Sequence, residues 1–114
     1  MLVEEEIWDE AIAVLNAYLA TQPPDVPARV YMQIGSIWYY KENYEETRKA
    51  FGKAYEIDPN DASVLSNYAI MTYHTERFIE AAGLWEKLYD IQDPPESKTL
   101  FQAAGAYYHG EDLI

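Results

Sequence analysis

Apolar residues recur along this chain at intervals of three and four, and polar or proline-bearing breaks cut the pattern into runs of helical length. The spacing predicts six helices in pairs. The first runs from about Glu4 to Ala20, carries Ile7, Trp8, Ala11, Ile12, Leu15, Tyr18 and Leu19 on one face, and stops before Pro23-Pro24. The second covers residues 28–41. At the break Glu42-Asn43, Asn43 is placed to cap a helix over 44–57, with Glu46 three residues on completing a capping-box pattern. Asp58-Pro59-Asn60-Asp61 ends that helix, and Asp61 caps its successor. Helices over 62–74, 78–91 and 97–109 follow. Connections of a few residues force each helix to run antiparallel to the one before it.

The chain also repeats itself at an offset of 34 residues. Tyr31, Ile34, Gly35, Trp38, Tyr44, Phe51, Ala54 and Pro59 superpose on Leu65, Tyr68, Ala69, Thr72, Phe78, Trp85, Leu88 and Asp93, with Pro94 one place late. Such a period marks an array of stacked helix pairs, because each unit buries its apolar face only against its neighbours. The units are a half repeat over 1–25, repeats over 28–61 and 62–95, and a half repeat over 97–114. A half unit leaves an apolar stripe uncovered, so the chain is expected to be a fragment of a longer protein, or to associate with a second copy through its terminal helices. Phe101, Tyr107, Leu113 and Ile114 make the C-terminal side adhesive.

Charge changes the picture more than composition does. The net charge is −12, from twenty acids against eight Lys and Arg, which argues against nucleic acid and anionic membranes, both of which call for clustered basic residues. None of the acids falls in 28–41, 62–75 or 97–109. Cysteine is absent, removing thiol chemistry and disulfides. No apolar run is long enough to span a bilayer, and Met1-Leu2-Val3 followed by Glu4 to Glu6 is no signal peptide, so the cytoplasm is the default location.

The fixed offsets of Tyr31, Ile34, Gly35, Trp38, Phe51 and Pro59, then of Leu65, Tyr68, Ala69, Ala81 and Trp85, resemble the tetratricopeptide repeat. Ala11, Leu15 and Pro23 continue the match in the first half unit, with a two-residue insertion before Ala28, and Leu100, Ala103, Ala104 and Tyr107 continue it in the last. The resemblance implies an all-α fold, a right-handed superhelix of antiparallel helix pairs. It also implies close helix approach at Gly35, Ala54, Ala69, Ala81 and Ala104, and a concave face lined by the first helix of each unit. That face carries Arg29, Met32, Gln33, Ser36, Tyr39 and Tyr40, then Ser63, Ser66, Asn67, Ile70, Tyr73 and His74, then Lys98, Phe101, Gln102, Gly105, Tyr108 and His109. The expected groove is aromatic, amide-rich and free of acids.

Tyrosine brings large contact area with few rotors to freeze, which suits binding of a partner peptide or helix; Tyr39, Tyr73 and Tyr108 stand equally well as inter-repeat core. One class within the family holds a partner's C-terminal carboxylate through Lys, Asn and Arg. Asn67 and Lys98 match that set while Met32, Ser36 and Gln102 do not, so most of the required positive charge is missing. His74 and His109 read as surface histidines, and Glu45-Glu46 as a solvated helix start. No phosphate loop, nucleophile elbow or metal-ligand spacing is present. The expectation is a protein-binding module without cofactor and without enzymatic activity. Its alternatives are a self-assembly element and a scaffold segment of a larger protein.

Overall fold

The computed structural model describes residues 2–111, and among them the chain forms six helices: α1 (Leu2–Ala20), α2 (Ala28–Tyr40), α3 (Tyr44–Ile57), α4 (Ala62–His74), α5 (Phe78–Ile91) and α6 (Ser97–Glu111). Leu113 and Ile114, expected to be adhesive, lie outside the described residues. Each helix packs on its neighbours in chain order. The radius of gyration of 15.5 Å exceeds the ~13 Å of a compact chain of this length, as an open array requires.

The helix ends follow from their caps. Asn43 Oδ1 accepts the Glu46 amide at 3.2 Å and Asp61 Oδ1 the Val64 amide at 3.1 Å. Glu46 does not close the capping box. Its carboxylate takes Lys49 at 3.4 Å, and the Asn43 amide is already spent on the Trp38 carbonyl at 2.9 Å. That last bond belongs to a C-terminal motif that the chain uses twice. Glu42 donates to Tyr39 O and Asn43 to Trp38 O at the end of α2, and 34 residues on Glu76 donates to Tyr73 O and Arg77 to Thr72 O. This is the Schellman pattern, with Glu42 (φ 61) and Glu76 (φ 64) in the left-handed position where glycine is usual. At the end of α1, Gln22 (φ 55) adopts the same conformation, but Pro23 has no amide to finish the motif, and the Thr21 hydroxyl donates to Tyr18 O at 2.6 Å instead.

The larger core lies among α4, α5 and α6, built on Leu65, Ala69, Ala81, Trp85, Leu88, Ala103 and Ala106. A smaller one joins Val30, Ile34 and Ala50 with Leu15, Leu19 and Trp38 packed against it. Tyr55 and Tyr68 stack at 5.4 Å between α3 and α4, with the Lys87 ammonium 4.8 Å over the Tyr55 ring. Close approach at Gly35 is real, because Phe51 lies across it where a Cβ would stand. Thr47 and Thr72 are buried with their hydroxyls returned to carbonyls four residues back, at 2.9 and 2.7 Å, and buried Thr99 donates to Gln92 Oε1 at 3.0 Å.

Two expectations are corrected. In α6 the buried residues are Thr99, Ala103, Ala106 and Gly110, while Leu100, Ala104 and Tyr107 face solvent. The core register stays at 34 residues through α6 (Leu65 to Thr99, Ala69 to Ala103, Thr72 to Ala106) even though the proline slips by one, so Ala104 is not a point of close approach. In α1 the supposed apolar stripe is only half used: Ile12 is buried, yet Ile7 and Tyr18 stay exposed with Val14. Val14 stands where α3 has buried Ala50, on the face that a preceding helix would cover. Among the described residues no helix is long and apolar enough to cross a membrane.

Candidate partner-binding groove

The residues expected on the concave face collect around three connected hollows. The first, of about 310 Å³ between α2 and α4, is lined by Ser36, Tyr39, Tyr40, Asn67, Ile70 and Met71 over a floor of Phe51. A second, of about 500 Å³ between α4 and α6, is lined by Ile70, Tyr73, His74, Phe101, Gln102, Gly105 and His109 over Trp85. Every lining residue of the first except Ile70 itself has its counterpart 34 residues on in the second, and Ile70 is the wall between them. A third, wider hollow of about 830 Å³ opens between α1 and α2, where Arg29, Met32, Gln33, Ser36 and Tyr40 face Trp8, Glu10, Val14 and Leu15.

The rims differ from the floors in exposure and packing. Tyr39 is half exposed and leans on Tyr44 at 5.7 Å, whereas Tyr73 is packed on Phe78 at 5.0 Å and Trp85 at 5.5 Å and belongs to the core as much as to the hollow. His74 and His109 both lie 5.9 Å from the Tyr73 ring, one on each side of the same opening. Phe101 is 81% exposed, so its ring is available rather than packed.

NrfG of Escherichia coli O157:H7, a formate-dependent nitrite reductase complex subunit, is 25% identical to this chain over 104 residues, which make up 87% of the chain and 52% of that protein. The chain therefore spans about half the length of the curated relative it matches. No family model matches it.

Four of the expected groove residues stand outside the hollows. Lys98 is exposed and paired with Glu96 at 3.2 Å, Ser63 is exposed, Ser66 is half buried, and Tyr108 is exposed with the His109 ring 5.7 Å from its own. Asn67 and Lys98, the two matches to a carboxylate-holding set, are thus not brought to one hollow. Met71 of α4 was missed, as were the floor residues Phe51 and Trp85, which the second helix of each unit sends through. Their 34-residue spacing was the available signal.

The expectation of an acid-free groove is also corrected. It holds for α2 and α4 along their lengths and for α6 up to its last residue, Glu111, but Glu10 of α1 enters the third hollow, and Glu42, Glu45 and Glu76 stand at the open end of the first. Glu45 accepts from Arg77 at 2.8 Å and Arg48 at 3.5 Å, and these hydrogen bonds, Arg77 first, hold its carboxyl below the usual range. Lys41 reaches Asp9 at 2.6 Å and Glu5 at 3.0 Å, which raise its pKa, Asp9 first. On the opposite side of α4, burial and then the Glu80 carboxylate push the Tyr68 hydroxyl upward.

Proposed function

We propose that the chain is a right-handed array of tetratricopeptide-like helix pairs that binds a segment of a partner protein in the groove formed by α2, α4 and α6. The observation that carries this reading is the recurrence of one hollow at one repeat's interval, with Phe51 and Trp85 as successive floors and Ile70 between them. Aromatic rings, amide side chains and few bound charges make a surface that seats apolar side chains and hydrogen-bonds a backbone, a binding role rather than a catalytic one. That the relative NrfG is a subunit of a complex supports a protein partner.

The test is affinity capture from lysate of the source organism with the wild-type protein and with a Tyr39→Ala, Phe101→Ala variant, bound proteins being identified by mass spectrometry. Both side chains are exposed, so helicity by circular dichroism should be unchanged. Tyr73 is left intact because its loss would disturb the core. A protein retained by the wild type and lost from the variant is the expected result; an identical catch from both would overturn the groove reading.

A second reading, self-assembly, draws on the exposed apolar side chains of the first and last helices: Ile7, Val14 and Tyr18 on α1, and Leu100, Phe101, Tyr107 and Tyr108 on α6. Sedimentation equilibrium decides it. A mass that rises with concentration and falls to the monomer in Val14→Lys would favour it over capture of another protein.

A further inference from the structure

The first hollow does not end at Tyr39. It shares Tyr39 and Met71 with a small hollow of about 180 Å³ completed by Tyr44 and His74, and those two residues in turn border an open depression at the turns 41–43 and 75–77. The three make one furrow between α2 and α4, apolar over Phe51 and Met71 and edged by carboxylates where it meets solvent. At that mouth the two permanently charged bases are already engaged, Lys41 with Asp9 and Glu5 and Arg77 with Glu45, and His74 forms part of the wall. Glu42 and Glu76 are exposed and form no ion pair among the described residues. They stand just past the C-terminal ends of α2 and α4, whose dipoles add partial negative charge to the same place. No acid lies along α2 or α4, and Arg29 opens α2 at the far end. A segment lying in the furrow therefore meets a neutral apolar seat followed by a negative one.

We propose that the furrow selects partner segments in which an apolar residue is followed, two places on, by Lys or Arg: the apolar side chain enters over Phe51 and the cation settles between Glu42 and Glu76. This rests on the groove being a partner-binding surface. The distance fits. From the middle of the hollow to the mouth, α2 advances about four residues or ~6 Å, close to two residues of extended chain, whose side chains then point to the same face. The net charge of −12 favours approach of a cationic segment over an anionic one.

The experiment is selection of a random short-peptide phage library on the immobilised protein. The enriched peptides are then synthesised and their affinity measured by fluorescence anisotropy, at low and high salt, for the wild type, Glu42→Gln with Glu76→Gln, and Tyr39→Ala. Glutamine suits the positions because Gln22 already holds the same backbone conformation. The expected outcome is enrichment of the apolar-x-basic pattern, a roughly three- to tenfold loss in the double glutamine variant with a flatter salt dependence, and a salt-independent loss in Tyr39→Ala. Peptides that need Tyr39 but show no basic residue at that spacing, or that bind the double glutamine variant as well as the wild type, would overturn the charge selection and leave the groove standing. Failure to enrich any peptide, or binding indifferent to Tyr39, would overturn both.

Discussion

A Cβ built on Gly35 runs into the Phe51 ring, whereas one on Gly83 meets nothing within 4 Å. The same substitution should therefore have opposite signs at the two sites. Gly35→Ala forces Phe51 off the helix it covers, and overpacking of about 1–3 kcal/mol outweighs the ~1 kcal/mol of helix propensity gained. Gly83→Ala collects the propensity alone and should raise stability by up to ~1 kcal/mol. Urea unfolding of both variants checks the pair, and a loss at Gly83 would mean that α5 is covered there in solution. Glu42 and Glu76 present a second case. A left-handed conformation costs a side-chain-bearing residue roughly 1–2 kcal/mol, and an acid past a helix C-terminus is poorly placed against the dipole. Glu42→Gly and Glu76→Gly should each stabilise by ~1 kcal/mol. If those carboxylates hold a partner's cation, the more stable protein will be the weaker binder.

At the scale of the helix, α1 is the exception. Of its described side chains Ile12 alone is buried; the rest of its hold on α2 comes from Trp8 stacked on Tyr40 at 5.1 Å, the Lys41 ion pairs, and Leu15 and Leu19 at the edge of the smaller core. Exposed ion pairs contribute little. Hydrogen exchange should accordingly show α1 amides opening well before those of α4 and α5, and Trp8→Ala should speed α1 exchange about tenfold while leaving α5 unchanged. Equal protection across all six helices would contradict this. The same helices show what could be read beforehand. The bounds 44–57, 62–74 and 78–91 were legible because a capping side chain, a proline or a polar turn sits at each end. What α1 leaves exposed was not, since periodicity reports that a helix has an apolar face and is silent on whether anything covers it. The register of α6 was misjudged for a different reason: Pro94 shifted the turn by one residue, but packing on Trp85 and Leu88 held the core at 34. The hollows themselves were half visible, their rims in the first helices and their floors hidden in the second.

Over the whole molecule, charge is distributed so that stability should be widest between mildly acidic and moderately alkaline pH. Glu45 is held below its ordinary value of 4.5, so its contribution is complete above that pH and drains away as the pH falls through its lowered value. Lys41, Tyr68 and Tyr107 are held above their ordinary values of 10.5, 10.0 and 10.0, Tyr107 by its hydrogen bond to Glu86, so their contributions are complete below pH 10 and are lost as the pH rises beyond it. Urea midpoints measured across pH should show a plateau with two falling limbs, the acid limb softened by Glu45→Gln and the alkaline one by Tyr107→Phe; a wild-type profile that Glu45→Gln leaves unaltered would remove Glu45 from the account. Beyond stability, the wall at Ile70 has a consequence for reading frame. If the groove holds a partner, a segment whose apolar side chains recur at one repeat's step would find two seats built from equivalent positions, and could shift from one alignment to the next. What would break that degeneracy is the exchange of Ser36 for Ile70, Tyr40 for His74, Phe51 for Trp85, Asn67 for Phe101 and Met71 for Gly105 between the seats, so discrimination among sequences would be set by the positions at which one graduation of this ruler differs from the next.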